Sequence, residues 1–190
     1  MLSLMLAWLL RFFNSMVAVD FKIFYNKCII IFPDYMEAIM EIERKYLIDE
    51  IPFDLKDYSC KVIEQGYLNT DPVVRVRRSN DKYILTYKGS GLMVREEYNL
   101  PLNEEAYRHL IQKADGIIIS KKRYLIPLTG RLTIELDIFK GDLAPLKLAE
   151  VEFETKEEAE SFLPPKWFGK DVTFSSDYHN STLSRVGLPT

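Results

Sequence analysis

The 190-residue sequence predicts a mainly β fold, an α+β chain in which eight antiparallel strands carry the architecture and helices are inserts. Three observations lead there. From Met40 onward side chains alternate in character with a period of two, and clusters of turn-forming residues separate the alternating runs. Ionisable residues recur two positions apart, so strand after strand shows charge on one face.

The first strand is expected at 40–48, where Glu41, Glu43 and Lys45 project together while Ile42 and Arg44 turn away. Further strands are expected at 61–69, 73–78, 82–88, 93–100, 117–125, 131–139 and 147–154. Ser79-Asn80-Asp81, Gly89-Ser90-Gly91 and Thr129-Gly130 read as turns between them. Asn103 can cap a helix running to about Lys113, with Ala106, Leu110 and Ile111 as its apolar side. Thr155 and Glu158 form a capping-box pattern for a second helix, stopped by Pro164-Pro165, and a third is expected around 176–185.

The chain is long enough for one substantial core. With 25 basic and 28 acidic residues its net charge is −3, so it lacks the electrostatic footprint of a nucleic-acid or anionic-membrane binder, and any anion must be met locally. Cys28 and Cys60 have no metal-ligand spacing, and with only His109 and His179 beside them zinc is disfavoured. Hard oxygen ligands remain, suited to Mg2+ or Mn2+. Both cysteines are expected to be small buried hydrophobes in a reducing, cytoplasmic setting.

Residues 1–39 carry six charged side chains against 47 in the following 151. The apolar run Leu2–Leu10 is shorter than the roughly 20 residues a membrane span needs, and it lacks the basic start of a signal peptide. Residues 1–39 therefore read as a non-native or weakly ordered extension, at most a weak interfacial anchor, and 40–190 as the functional domain.

The charged faces comprise the acids Glu41, Glu43, Glu97, Glu135, Asp137, Glu150 and Glu152 and the bases Lys45, Arg75, Arg77, Lys88, Arg95, Lys121 and Arg123. Two arrangements fit. A one-sided sheet would show them to solvent in surface ion pairs worth under about 1 kcal/mol each. A closed barrel would turn them inward around a polar lumen, which requires that the charges be paired or occupied by ions. The near absence of Thr, Ser and Gln at these positions and the density of Arg favour the barrel. Clustered carboxylates suit a divalent cation and Arg forks suit phosphate oxygens, so the expected guest is a metal-bound polyphosphate.

Met40-Glu41-Ile42-Glu43-Arg44-Lys45 resembles the ExExK signature of the CYTH superfamily, the triphosphate tunnel metalloenzymes. Gln65-Gly66-Tyr67-Leu68, Arg75-Val76-Arg77, Thr86-Tyr87-Lys88, Arg95-Glu96-Glu97-Tyr98, Lys121-Lys122-Arg123-Tyr124, Glu135-Leu136-Asp137, Glu150-Val151-Glu152 and Trp167-Phe168-Gly169 follow in the order of its small bacterial branch. The resemblance covers about 40–186. It implies a closed eight-stranded antiparallel β-barrel, a tunnel with peripheral helices, that hydrolyses tripolyphosphate-containing substrates with a divalent metal, inorganic triphosphate being the favoured one.

By that resemblance Glu41, Glu43, Asp137, Glu150 and Glu152, with Glu97 and Glu135, would hold metal. Lys45, Arg75, Arg77, Lys88, Lys121 and Arg123 would grip phosphate, and Arg95 would either join them or pair with a carboxylate. Glu41, Glu43, Lys45 and Glu152 form the expected catalytic set. The sequence departs from the family at Asp177-Tyr178-His179-Asn180-Ser181, where relatives often carry a base beside Tyr-x-Asn; His179 is either its substitute or a surface residue.

The alternatives are a nucleoside or thiamine triphosphatase, with Tyr67, Tyr83 and Tyr98 as stacking candidates, and a non-catalytic polyphosphate-binding module. An adenylyl cyclase fits less well, since Tyr35-Met36 stands where those relatives place His-Phe.

Overall fold

The structure, a computed structural model, describes residues 39–189, and within them all side chains but those of Ile39, Met40 and Arg95. The expectations for the leading segment, Cys28 and Tyr35-Met36 lie outside the described residues. Eight strands are present: β1 (Ile39–Leu47), β2 (Ser59–Thr70), β3 (Val73–Ser79), β4 (Lys82–Lys88), β5 (Val94–Leu102), β6 (Asp115–Pro127), β7 (Thr133–Phe139) and β8 (Lys147–Glu152). They pair antiparallel in the order β1-β5-β4-β3-β2-β6-β7-β8 and close into a barrel.

Closure depends on β1 serving two neighbours. Its first residues pair with β5, Glu41 opposite Arg95, and its later ones with β8, Glu43 opposite Glu152 and Lys45 opposite Glu150. The edge of β1 left open beyond Ile42 is covered by the chain after Trp167: Gly169 N and Val172 N donate to Leu47 O (2.8 Å) and Lys45 O (2.9 Å), and Leu47 N donates to Lys170 O (2.9 Å). These bonds satisfy backbone groups that would otherwise be stranded in a barrel wall.

The alternation works as expected, with charge inside and apolar residues outside. Ile134, Leu136, Ala149 and Val151 pack beneath Phe153 and Ala159, with Ile42, Phe162, Trp167 and Phe168 against them. Arg44, which turns away from the lumen, fastens this cover by donating to Ala159 O and Phe162 O (3.2 Å each) and pairing with Asp171. The opposite sector is barer: Val62, Tyr87, Leu100 and Ile118 are exposed. Cys60, on this sector, is exposed, contrary to the expectation of burial, because it shares the outward face of β2 with the exposed Val62.

Asn80, at φ 52°, makes the β3–β4 turn, and its Oδ1 accepts from Val62 N (2.9 Å). Helix α1 (Glu104–Ile111) is capped by Asn103, whose side chain accepts from Ala106 N at 2.7 Å. The expected Ala106, Leu110 and Ile111 are half-buried, and Tyr107 is the fully buried residue beside them; its phenol reaches Glu64 Oε1 at 2.9 Å. Helix α2 (Lys156–Ser161) begins at the Thr155 cap, which accepts from Glu158 N (3.2 Å), and Glu158 accepts from Glu154 N (3.3 Å) in return.

The helix expected at 176–185 is broken in two. A single 3-10 turn (Ser176–Tyr178) and α3 (Asn180–Val186) flank His179, which is extended at φ −68°, ψ 135°. α3 packs across the end of the barrel where β1, β2, β4 and β7 finish. There the inward residues turn apolar: Tyr67, Ile119, Phe139 and Leu148 enclose Leu183 and Val172. Burying a leucine such as Leu183 contributes about 1.5–3 kcal/mol. The approach depends on Gly116, at φ +69°, where a Cβ would lie 2.3 Å from Ser184 O, and Ser184 Oγ donates to Ile117 O at 3.0 Å. This apolar end is the floor of the bore and the opposite end its mouth.

Candidate active site in the bore

The bore is a cavity of about 160 Å3 lined almost wholly by polar groups. Glu41, Glu43 and Lys45 reach it from β1, Arg75 and Arg77 from β3, Lys88 from β4, Glu97 from β5, Arg123 from β6, Glu135 from β7, and Glu150 and Glu152 from β8. His179, Asn180 and Ser181 line it from the C-terminal segment. Asp137 and Lys121 are fully buried behind this lining and paired with each other. Of the fourteen charged residues singled out in the sequence, only Arg95 is undescribed, since its side chain lies outside the described residues.

Charge is not spread evenly round the wall. Arg123 is the hub of one side: Nε donates to Asp137 Oδ1 (2.7 Å), Nη2 to Asp137 Oδ2 and Glu150 Oε2 (2.5 Å each), and Nη1 pairs with Glu135. Lys45 Nζ lies 2.9 Å from Glu150 Oε1 and 3.3 Å from Glu43 Oε1. Lys88 Nζ contacts both oxygens of Glu41 at 2.6 Å and pairs with Glu97. Burial opposes ionisation of Glu150, but Lys45, Arg123 and Lys121 outweigh it and hold the carboxyl well below its ordinary range. Arg123 is likewise driven well above its ordinary value by Asp137 and Glu150 despite its burial.

The wall made by β2 and β3 differs. Arg75 donates to Thr86 Oγ1 (2.9 Å) and Arg77 to Gln65 Oε1 (3.0 Å), both neutral acceptors. Among the described residues neither arginine has a carboxylate partner, and Arg75 Nε is buried with no hydrogen-bond acceptor. Burial, then Arg75 and Arg123, depress Arg77 to about 10. Lys121 falls to about 8, through burial and Arg123, though Asp137 opposes the drop.

Toward the mouth, Glu41, Glu43 and Glu152 bring carboxylate oxygens within 4.8 Å of one another. Glu43 and Glu152 sit directly opposite across β1 and β8, a like-charge pairing that costs energy unless a cation lies between. Glu152 has no basic partner among the described residues. Its pKa rises to about 7, first through desolvation by the surrounding wall and then through Glu135, Glu41, Glu43 and Glu150. Glu43 is raised as well, by burial and by Glu150 and Glu41, against the pull of Lys45. Three hard oxygen donors in this state fit a divalent cation such as Mg2+ or Mn2+. Of the seven acids, the geometry thus groups these three, with Lys88 against Glu41 and Lys45 against Glu43, while Glu97, Glu135, Asp137 and Glu150 stand outside the group, each against a lysine or arginine.

Sequence reasoning missed Lys61, which also lines the bore. The inward set of β2 is Lys61, Ile63, Gln65 and Tyr67, so one charge among neutral residues gave no repeat to notice. The three tyrosines considered for base stacking do not stand at the mouth. Tyr67 is buried at the floor beside Gln65 (Nε2 to OH 3.0 Å), Tyr83 packs on Tyr107, and Tyr98 packs on Tyr87.

Comparison with known proteins agrees with this architecture. The CYTH domain model matches residues 40–186. An inorganic triphosphatase of Nitrosomonas europaea is 36% identical over 147 residues, covering 76% of this chain and 96% of that protein. One of Acetivibrio thermocellus is 35% identical over 151 residues, covering 75% and 92%. A crystal structure of an inorganic triphosphatase superposes with a TM-score of 0.59 at 34% identity, covering 79% of this chain and 96% of that one. The sequence from Met40 to Val186, folded as a closed barrel around facing acids and bases, belongs to the CYTH family.

Proposed function

We propose that this chain is a divalent-metal-dependent triphosphatase that hydrolyses a terminal phosphoanhydride bond of inorganic tripolyphosphate inside the bore. The observation that carries the reading is the coexistence, in one cavity, of three converging carboxylates and of two arginines, Arg75 buried and Arg77 half-buried, that have no carboxylate partner among the described residues. A metal-bound polyphosphate neutralises both at once. The 36% identity to an inorganic triphosphatase supports the same substrate.

Glu41, Glu43 and Glu152 would hold the cation, magnesium or manganese, which when bound withdraws charge from phosphate oxygens and lowers the pKa of bound water. The protein's own side chains supply the rest. Arg75 and Arg77 hold phosphate oxygens by forked hydrogen bonds and keep the polyphosphate aligned. Lys45 and Lys88, each already between carboxylates, balance charge beside the cluster. Water attacks the end phosphorus in line, the P–O bond to the bridging oxygen breaks, and diphosphate and phosphate leave. The proton lost by water passes to a carboxylate of the cluster. Positioning and electrostatics supply most of the acceleration in such a transfer.

The described residues contain no helix long and apolar enough to cross a membrane. The free thiol of Cys60 is compatible with a reducing, cytoplasmic setting. A phosphate-release panel over tripolyphosphate, ATP and thiamine triphosphate, with magnesium and with manganese, tests the reading. Tripolyphosphate should be the fastest substrate, and metal chelation should abolish release. No release from tripolyphosphate with either metal overturns it.

A further inference from the structure

We infer that Lys61 is a substrate-binding residue of the bore, holding the mouth-side phosphate of a three-phosphate chain and so setting the preference for triphosphate over diphosphate. The inference rests on the triphosphatase reading.

Lys61 is the third residue of β2, close to the end at which β1, β2, β4 and β7 begin, and therefore belongs to the mouth rather than to the floor. It is half-buried and lines the same cavity as Arg75 and Arg77. Its opposite number on β6 is Arg123, a like-charge pairing that is unfavourable on its own. Arg123 is compensated by Glu135, Asp137 and Glu150, which its guanidinium already engages. Lys61 has no carboxylate partner among the described residues. A lysine held beside an arginine, facing a polar cavity, is stabilised when an anion enters.

Position then gives specificity. Arg75 lies two residues deeper along β3 than Arg77, and Ser79, at the mouth end of that strand, is opposite Ile63. Gln65, opposite Arg77, lies four residues deeper along β2 than Lys61, with the neutral Ile63–Ser79 level between, so Lys61, Arg77 and Arg75 are cations without acids at three depths from mouth toward floor. A diphosphate seated against the deeper arginines ends short of Lys61, whereas a third phosphate extends toward the mouth, where the long lysine stem can lean inward to meet it. A point charge on a flexible stem suits a terminal phosphate near solvent, where a fixed fork is not needed.

Equilibrium binding by isothermal titration calorimetry, in chelator and without metal, separates this from catalysis. Inorganic tripolyphosphate and inorganic diphosphate are titrated into the full chain and into Lys61→Met and Lys61→Arg. Lys61→Met should weaken tripolyphosphate binding about tenfold, the order expected for one lost charge-assisted contact, and change diphosphate binding less than twofold. Lys61→Arg should recover most of the loss, with thermal melts confirming that all three proteins are folded.

Unchanged tripolyphosphate affinity in Lys61→Met overturns the role of Lys61 while leaving the triphosphatase reading intact. An equal loss for both anions overturns the positional role, since it reports only the general field of the bore. Failure of the unsubstituted chain to bind tripolyphosphate at all overturns the anion-binding reading itself, and Lys61 with it.

Discussion

The two sides of the bore solve the problem of burying charge differently. On the side built by β1, β6, β7 and β8, cations are spent internally: Arg123 serves Glu135, Asp137 and Glu150, Lys121 serves Asp137, and Lys45 lies between Glu43 and Glu150. On the side built by β2 and β3, Arg75 and Arg77 lean on a threonine and a glutamine. The first side answers most of its charges as it folds; the second gives its arginines neutral acceptors and, among the described residues, no carboxylate, which is the arrangement an anion site requires. Charged groups of one protein can therefore be sorted into those that hold the barrel and those that hold a ligand by asking which already have opposite charges against them.

The largest effect that would break this division is on turnover. Glu152→Gln keeps the shape of a side chain that no cation among the described residues supports, so the barrel should melt within a few degrees of the unsubstituted protein while metal-dependent phosphate release falls at least a hundredfold. Glu43→Gln should lose activity similarly. Retained activity in either variant would remove that carboxylate from the metal cluster, and steady-state phosphate release with magnesium is the measurement.

Removing an arginine from each wall tests the contrast directly. Arg123→Met takes the cation from Glu135 and leaves Asp137 to Lys121 and Glu150 to Lys45, and should destabilise the fold by about 3–5 kcal/mol, the usual result of taking one partner from a buried ion cluster. Arg77→Met removes a cation depressed to about 10 by burial and by neighbouring arginines, so it should leave thermal stability unchanged or raise it. Its cost should appear in catalysis, as a KM for tripolyphosphate raised at least tenfold. Equal destabilisation by the two variants, read by chemical denaturation, would erase the distinction between the walls.

That distinction was only half legible in the sequence. Strict period-two alternation fixes which residues face inward, Asn80 marks the β3–β4 turn, and Asn103 and Thr155 mark helix starts with side chains that accept from the backbone groups a cap serves. Which inward charges neutralise one another depends on register between strands far apart in sequence. Glu135 meets Glu150, and both meet Arg123, only because β7 lies between β6 and β8. Seven acids therefore looked alike in the sequence, and only the fold brings three of them, Glu41, Glu43 and Glu152, together at the mouth. Lys61 escaped notice because its strand neighbours on the inner face are neutral. His179 reached the bore because the chain is extended at that residue, a break that the helical pattern around 176–185 does not announce.

The smallest effect concerns pH and sharpens the account of the mouth. Glu152 is raised from the ordinary glutamate value of 4.5 to about 7 in the fold. Between those values the folded chain keeps a proton that the unfolded chain has released, so stability from this group is full below 4.5 and is lost as pH rises through about 7. Glu150 is held well below 4.5 and titrates outside that window. The metal-free protein should therefore melt at a progressively lower temperature from pH 4.5 to pH 7, by a few degrees at most, and Glu152→Gln should flatten that slope. A divalent cation competes with the same proton, so added magnesium should restore the loss chiefly at the upper end of the window. Melting curves across the range, with chelator and with magnesium, decide it. A slope that is the same with and without Glu152 would mean that the three mouth carboxylates share their charge without a common cation, and would return Glu152 to the walls that the protein completes for itself.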